Sequence, residues 1–123
     1  MKYIRWSWIL LGGLLTEVMI LALSVTAGLA VWTRSLLYVV PPASLVAAFT
    51  LGLWTARKVA QRRVLHGALV GTVAMLIYVV MGLGQPEPLP YIIAHALKVV
   101  GGTAGGFVAL KRATANAVSK APA

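Results

Sequence analysis

Four runs of mostly apolar residues decide what this chain can fold into. A bilayer core roughly 30 Å thick is crossed by about 20 apolar residues in helical form. The sequence supplies such runs near residues 8–32, 36–56, 64–83 and 91–110. Inside hydrocarbon each backbone N–H and C=O needs a partner, which leaves only helices and closed barrels. Runs of this length predict helices. Composition points the same way. The chain is 60% hydrophobic and 11% charged, with a mean hydropathy of +0.90. A soluble domain carries roughly 45–50% apolar and about 25% charged residues. The expected fold class is therefore all-α, an integral membrane four-helix bundle. It forms one domain over residues 1–123, with residues 111–123 as a basic tail.

Aromatic residues fall near several ends of the runs, at Trp6, Trp8, Trp32, Tyr38, Trp54, Tyr78 and Tyr91, where amphipathic rings prefer the headgroup level. The first hairpin turns around residues 33–35, and Pro86, Pro88 and Pro90 close the third run. Pro41 and Pro42 leave the second run ambiguous. Either its helix begins near Pro42, where proline is tolerated, or it begins earlier and carries both prolines inside.

Charge sets the expected orientation. Eleven Lys or Arg stand against two acids, for a net charge of +9. In a soluble chain that balance would point to nucleic acid; with this hydropathy it marks the sides of membrane spans, and no nucleic-acid partner is expected. Lys2 and Arg5 precede the first run, Arg57, Lys58, Arg62 and Arg63 separate the second from the third, and Lys111, Arg112 and Lys120 follow the fourth. These nine face Arg34 and the acid Glu87 on the other side. The positive-inside rule then puts both termini in the cytoplasm of a bacterial inner membrane. The cluster Arg57, Lys58, Arg62 and Arg63 can also attract anionic lipid headgroups. The basic start of the chain resembles a signal peptide, but the apolar run is too long and Glu17 interrupts it, so a retained span is expected.

Two ionisable residues lie at membrane depth. Glu17 is nine residues past Trp8 and Lys98 seven past Tyr91, or roughly 14 and 11 Å along helices that run in opposite directions. Each alone costs about 2.5–3.5 kcal/mol on insertion scales. Pairing across the first and fourth spans is the economical solution. On the first span Gly13, Glu17, Ser24 and Gly28 share a face; on the fourth, His95, Lys98, Gly102, Gly105 and Gly106 do. Gly101 with Gly105, Gly102 with Gly106, and Gly67 with Gly71 form GxxxG patterns, which let helix backbones approach closely. These predict a close crossing of the third and fourth spans. His95 reads as a hydrogen-bonded helix residue or a proton relay, and His66 as an interfacial residue.

Catalytic constellations are missing. There is no Cys or Asp, the two histidines fall on different helices, and no Ser–His–acid or Ser–Lys arrangement is evident. No enzymatic activity, metal or cofactor is expected.

Two resemblances add to this reading. Residues 11–18, through Thr16, Glu17 and Val18, resemble the first helix of small multidrug resistance transporters. That family has four spans and exchanges protons for cationic drugs at a glutamate, which here would be Glu17. The match covers about eight residues, and the family's aromatic third-span pattern is not found. Over its whole length the chain resembles small uncharacterised four-span membrane proteins of spore-forming bacteria. The likeness is carried by residues 13–16, the basic turn after the second span, His66 to Gly71, and the pairs Gly101-Gly102 and Gly105-Gly106. It implies a fold without a function. The sequence thus leads to an accessory subunit or homo-oligomer that acts on other transmembrane helices through its glycine faces, with Glu17 and Lys98 fixing partner or register. The alternative is a small proton-coupled transporter or ion pathway centred on Glu17. A third option is a lipid- or quinone-binding helper.

Overall fold

The computed structural model describes residues 3–30, 33–83 and 85–122, with the side chains of residues 29–30 and 33–35 left out. Lys2, Trp32 and the Arg34 side chain lie outside the described residues. The regular structure described is four helices: α1 (Trp6–Ala30), α2 (Thr33–Arg57), α3 (Arg63–Met81) and α4 (Leu89–Ser119). Each is long and apolar enough to cross a membrane. Their large apolar side chains point outward: Leu10, Leu14, Val18, Leu21 and Val25 make an exposed stripe along α1. Such a stripe suits a hydrocarbon solvent and is costly in water.

Two boundaries differ from the sequence reading. α2 starts at Thr33 and runs through Pro41 and Pro42, so the earlier of the two starts is the one adopted. Neither proline has an N–H to offer, so the carbonyls one turn before them lose their helical partners. α4 continues past residue 110 to Ser119. Its 31 residues reach roughly 46 Å, well beyond a hydrocarbon core of roughly 30 Å. The added segment is polar and exposed but rich in Ala, Lys and Arg, all strong helix formers.

The helices run up and down, with α2 and α3 in contact with each other and with both α1 and α4. Among the described residues no Cα of α1 comes within 8 Å of one in α4. Those two helices sit at opposite corners.

One end of the bundle carries Arg5, residues 57–63 and the α4 extension. Here His66, wholly buried, joins two turns. Its Nδ1–H donates to Arg62 O (2.9 Å) while Nε2 accepts the Arg5 N–H (3.2 Å), a set that one neutral tautomer satisfies. Arg62 adopts a left-handed conformation (φ 52°). Arg63 folds back to donate to Val59 O and Ala109 O, so this member of the basic cluster holds the turn and α4 together. Arg57, Lys58 and Arg62 remain exposed. The Trp8 and Trp54 rings meet edge to face at 5.5 Å.

The glycines explain the packing in this half. Gly102 and Gly106 lie against α3, where a Cβ on Gly67 would strike Gly102 O and fall 2.9 Å from the Gly106 backbone. Gly101 and Gly105 lie against α2, where a Cβ on Gly101 would fall 2.5 Å from Leu45 O. The Gly101/Gly105 pattern therefore faces α2 and the Gly102/Gly106 pattern faces α3, with Gly102 also meeting α2 at Gly52. Gly71 seats the α4 backbone at Lys98 and Val99, and Gly13 meets Val73. Two glycines not singled out from sequence are as tight: Gly12 against Thr55 and Val70, and Gly52 against Gly102. Gly28 differs from expectation. Among the described residues, a Cβ there would make only an ordinary contact, 3.7 Å to Leu36.

Candidate functional site

Toward the other end, where Glu87 lies, the four helices border a half-open cavity of about 540 Å³, which reaches the exposed stripe of α1 at Leu14, Val18 and Leu21. Its walls are mostly apolar, with Leu14, Leu21, Ile77 and Met81 among them. All four helices contribute polar groups: Glu17 and Ser24 from α1, Ser44 from α2, Tyr78 from α3, and Tyr91, His95 and Lys98 from α4. A cavity this large, apolar but for a few convergent polar groups, has the general form of a small-molecule site.

Lys98 Nζ lies 2.6 Å from Glu17 Oε1. The two side chains are 2% and 12% exposed, so the cavity reaches the carboxylate more than the ammonium. The geometry follows from the glycines. Gly71 brings the α4 backbone at Lys98 against α3, and the four-carbon stem then crosses the bundle to α1. On the way the ammonium sits 4.8 Å from the centroid of the Tyr78 ring, a cation–π distance. This ion pair joins two helices whose backbones do not meet.

Tyr78 also meets other polar groups of the lining. Its ring lies 4.8 Å from that of His95 and stacks on Tyr91 at 6.3 Å. His95 Nε2 is 2.9 Å from Glu87 Oε2; a carboxylate partner selects the form in which Nε2–H donates. Glu87 was missed as a site residue from sequence, where it served only as a side marker in a proline-rich connection. The available signal was its offset of eight residues from His95, which a short turn into a helix can fold back to one contact.

Several bonding positions remain open. Ser44 Oγ, Thr55 Oγ1 and His95 Nδ1 are buried and have no hydrogen-bond partner among the described residues; Ser44 and His95 line the cavity. Thr16, Thr72 and Thr103 each donate to the carbonyl four residues back, the usual way a hydroxyl is satisfied inside an apolar helix; Ser44 at the cavity and Thr55 away from it do not. Lys98 has three N–H donors and one carboxylate oxygen in contact. Unpaired polar groups of this kind are costly when buried and call for a partner.

No protein-family model, curated protein or solved structure matches the chain, so the reading of this site rests on its own geometry.

Proposed function

We propose that this is a small multi-pass protein of the bacterial cytoplasmic membrane, with both termini inside, that binds and moves a small solute in company with a proton at Glu17. The observation that carries the reading is the cavity itself: an apolar chamber of about 540 Å³ with a buried ion pair in its wall and unpartnered Ser44 and His95 atoms beside it. The resemblance of residues 11–18 to the first helix of proton-coupled drug exporters points to the same carboxylate. The orientation is supported by the basic residues gathered at one end of the bundle, opposite Glu87.

The accessory-subunit reading has less support. Gly67, Gly71, Gly101, Gly102, Gly105 and Gly106 are occupied by contacts within the chain, so their faces are not free for another helix. Partners would have to use the exposed apolar stripes instead. No catalytic chemistry is part of either reading, and the exposed Arg57, Lys58 and Arg62 serve as topology and lipid-headgroup contacts.

The test has two stages. Native mass determination from a mild detergent should give the chain alone or as a small homo-oligomer; stoichiometric larger subunits would favour the accessory reading. The protein in vesicles with a trapped pH dye should then couple proton entry to added small amphiphiles, and Glu17→Gln should abolish the coupling while helix content is kept. Equal coupling in wild type and Glu17→Gln would remove Glu17 from the mechanism.

A further inference from the structure

The charge arrangement inside the cavity indicates which solutes it admits. We infer that the cavity takes an amphiphilic monoanion, a carboxylate or sulfonate head on a short apolar tail, and that Glu17 and the anion compete for the single ammonium of Lys98. This inference rests on the cavity being a solute site, and it goes further by fixing the sign of the solute and the origin of the coupling.

Among the described residues lining the cavity, Lys98 is the one with a fixed positive charge, and Glu17 is the one lining carboxylate. The groups that face this pair can be taken helix by helix. α3 brings Tyr78, α4 brings His95 and Tyr91, α2 brings Ser44 and no titratable group, and Glu87 stands behind His95. As long as Glu17 is ionised the pair is neutral and Lys98 has its counter-ion. An anion entering then meets a neutral pair and has no charge to bind.

Protonation of Glu17 changes that. The proton adds to a carboxylate oxygen, the ammonium keeps its charge, and the chamber is left with one uncompensated cation. A buried charge without a partner is strongly unfavourable, so an anion is drawn in. Its head takes the place of Glu17 on Lys98, and the unpartnered Ser44 hydroxyl in the same lining is a further donor. Its tail lies among Leu14, Leu21 and Ile77. When Glu17 loses its proton, the carboxylate reclaims Lys98 and expels the anion. One proton and one anion enter together and leave together, with no net charge moved.

The opposite choice, a cation on Glu17, has to share a carboxylate whose Oε1 already holds Lys98 at 2.6 Å. Lys98 is the deeper member of the pair, at 2% exposure against 12%, and it is held by the Tyr78 face. The carboxylate is also the member of the pair more open to the cavity, and so to a proton arriving through it.

The test uses the full chain in lipid nanodiscs and three probes of equal tail length: hexanesulfonate, hexylammonium and hexanol. The sulfonate remains an anion throughout, so any proton taken up belongs to the protein. Calorimetry in buffers of different ionisation enthalpy should show uptake of about one proton per hexanesulfonate bound, by linkage. The affinity should rise about tenfold per unit fall in pH while Glu17 is ionised in the free protein. Glu17→Gln should bind hexanesulfonate without proton uptake and independently of pH, and the anion should raise its melting temperature. Lys98→Met should lose binding by about tenfold or more. The double variant Glu17→Gln with Lys98→Met, which strands no charge, is the better-folded control and should not bind.

Hexanesulfonate binding to wild type without proton uptake overturns the competition, and that measurement needs no variant. Hexylammonium binding that depends on Glu17, with no sulfonate binding, overturns the anion while leaving the solute site intact. Failure of wild type to bind any of the three overturns both.

Discussion

At the end of the bundle that carries residues 57–63, α4 rests on α3 and α2 through glycine, with Gly67, Gly102 and Gly106 in backbone contact. At the Glu87 end the same helices are held apart by the Tyr78 and Tyr91 rings, stacked at 6.3 Å, and the space between them is a chamber lined with polar groups. The first half fixes the helices; the second leaves room. In a bilayer the hydrophobic effect does little to bring helices together, so close packing must supply the attraction. Concentrating the small residues at one end lets the other end open without the bundle coming apart. The ion pair lies between the two, where the α4 backbone is still pinned by Gly71 and the side chain already faces the chamber.

Substitutions can break or sharpen this contrast. The largest effect is expected from Gly67→Leu, whose side chain would have to enter the Gly102 and Gly106 backbone; backbone cannot give way as a side-chain tip can. No folded protein should be recovered from detergent, and a monodisperse, helical Gly67→Leu would show that the crossing is not needed.

Next comes the pair. Lys98→Met or Glu17→Gln alone strands a largely buried charge, and breaking such a pair costs roughly 3–5 kcal/mol. Removing both should recover a large part of that loss. Detergent melting curves in which the double variant is no more stable than either single one would mean the pair does not hold α1 to α4.

Smaller changes are expected in the open half. Among the described residues Gly28→Ala meets Leu36 alone, at 3.7 Å, and should stabilise α1 by roughly 0.5–1 kcal/mol, the usual gain over glycine within a helix. A loss as large as that of a tight glycine would place Gly28 in an interface the single chain does not show. Ser44→Ala should be the smallest, from neutral to a gain of up to about 1 kcal/mol, since it removes a buried hydroxyl with no partner. A clear loss of melting temperature in Ser44→Ala would show that a bound molecule or water already satisfies it.

Some of this site could be read before the structure was seen, and some could not. Glu17 and Lys98 could be set opposite one another because helix rise and bilayer thickness turn residue number into depth. His95 could be placed on the same face as Lys98, but its partner could not be named, because Glu87 sits in a connection whose path depends on three prolines. Tyr78 read as an interfacial aromatic; its place between Lys98, His95 and Tyr91 depends on how α3 is rotated, and hydropathy carries no information about rotation. Pro41 and Pro42 were ambiguous because proline's cost in a helix depends on what surrounds the freed carbonyls.

The sequence by itself determined the four helices, their apolar outer faces, the glycine patterns and the depth of the two charges. All of these follow from local rules, namely 1.5 Å of rise per residue and the cost of a polar group in hydrocarbon. Which helix each glycine meets, why α1 and α4 stand at opposite corners, and where space is left over were decided only by the tertiary structure. Those depend on the rotation and tilt of whole helices, which are set by every contact at once. The chamber beside Glu17 belongs to that second group. It is the volume left where close packing stops, and no single segment encodes it.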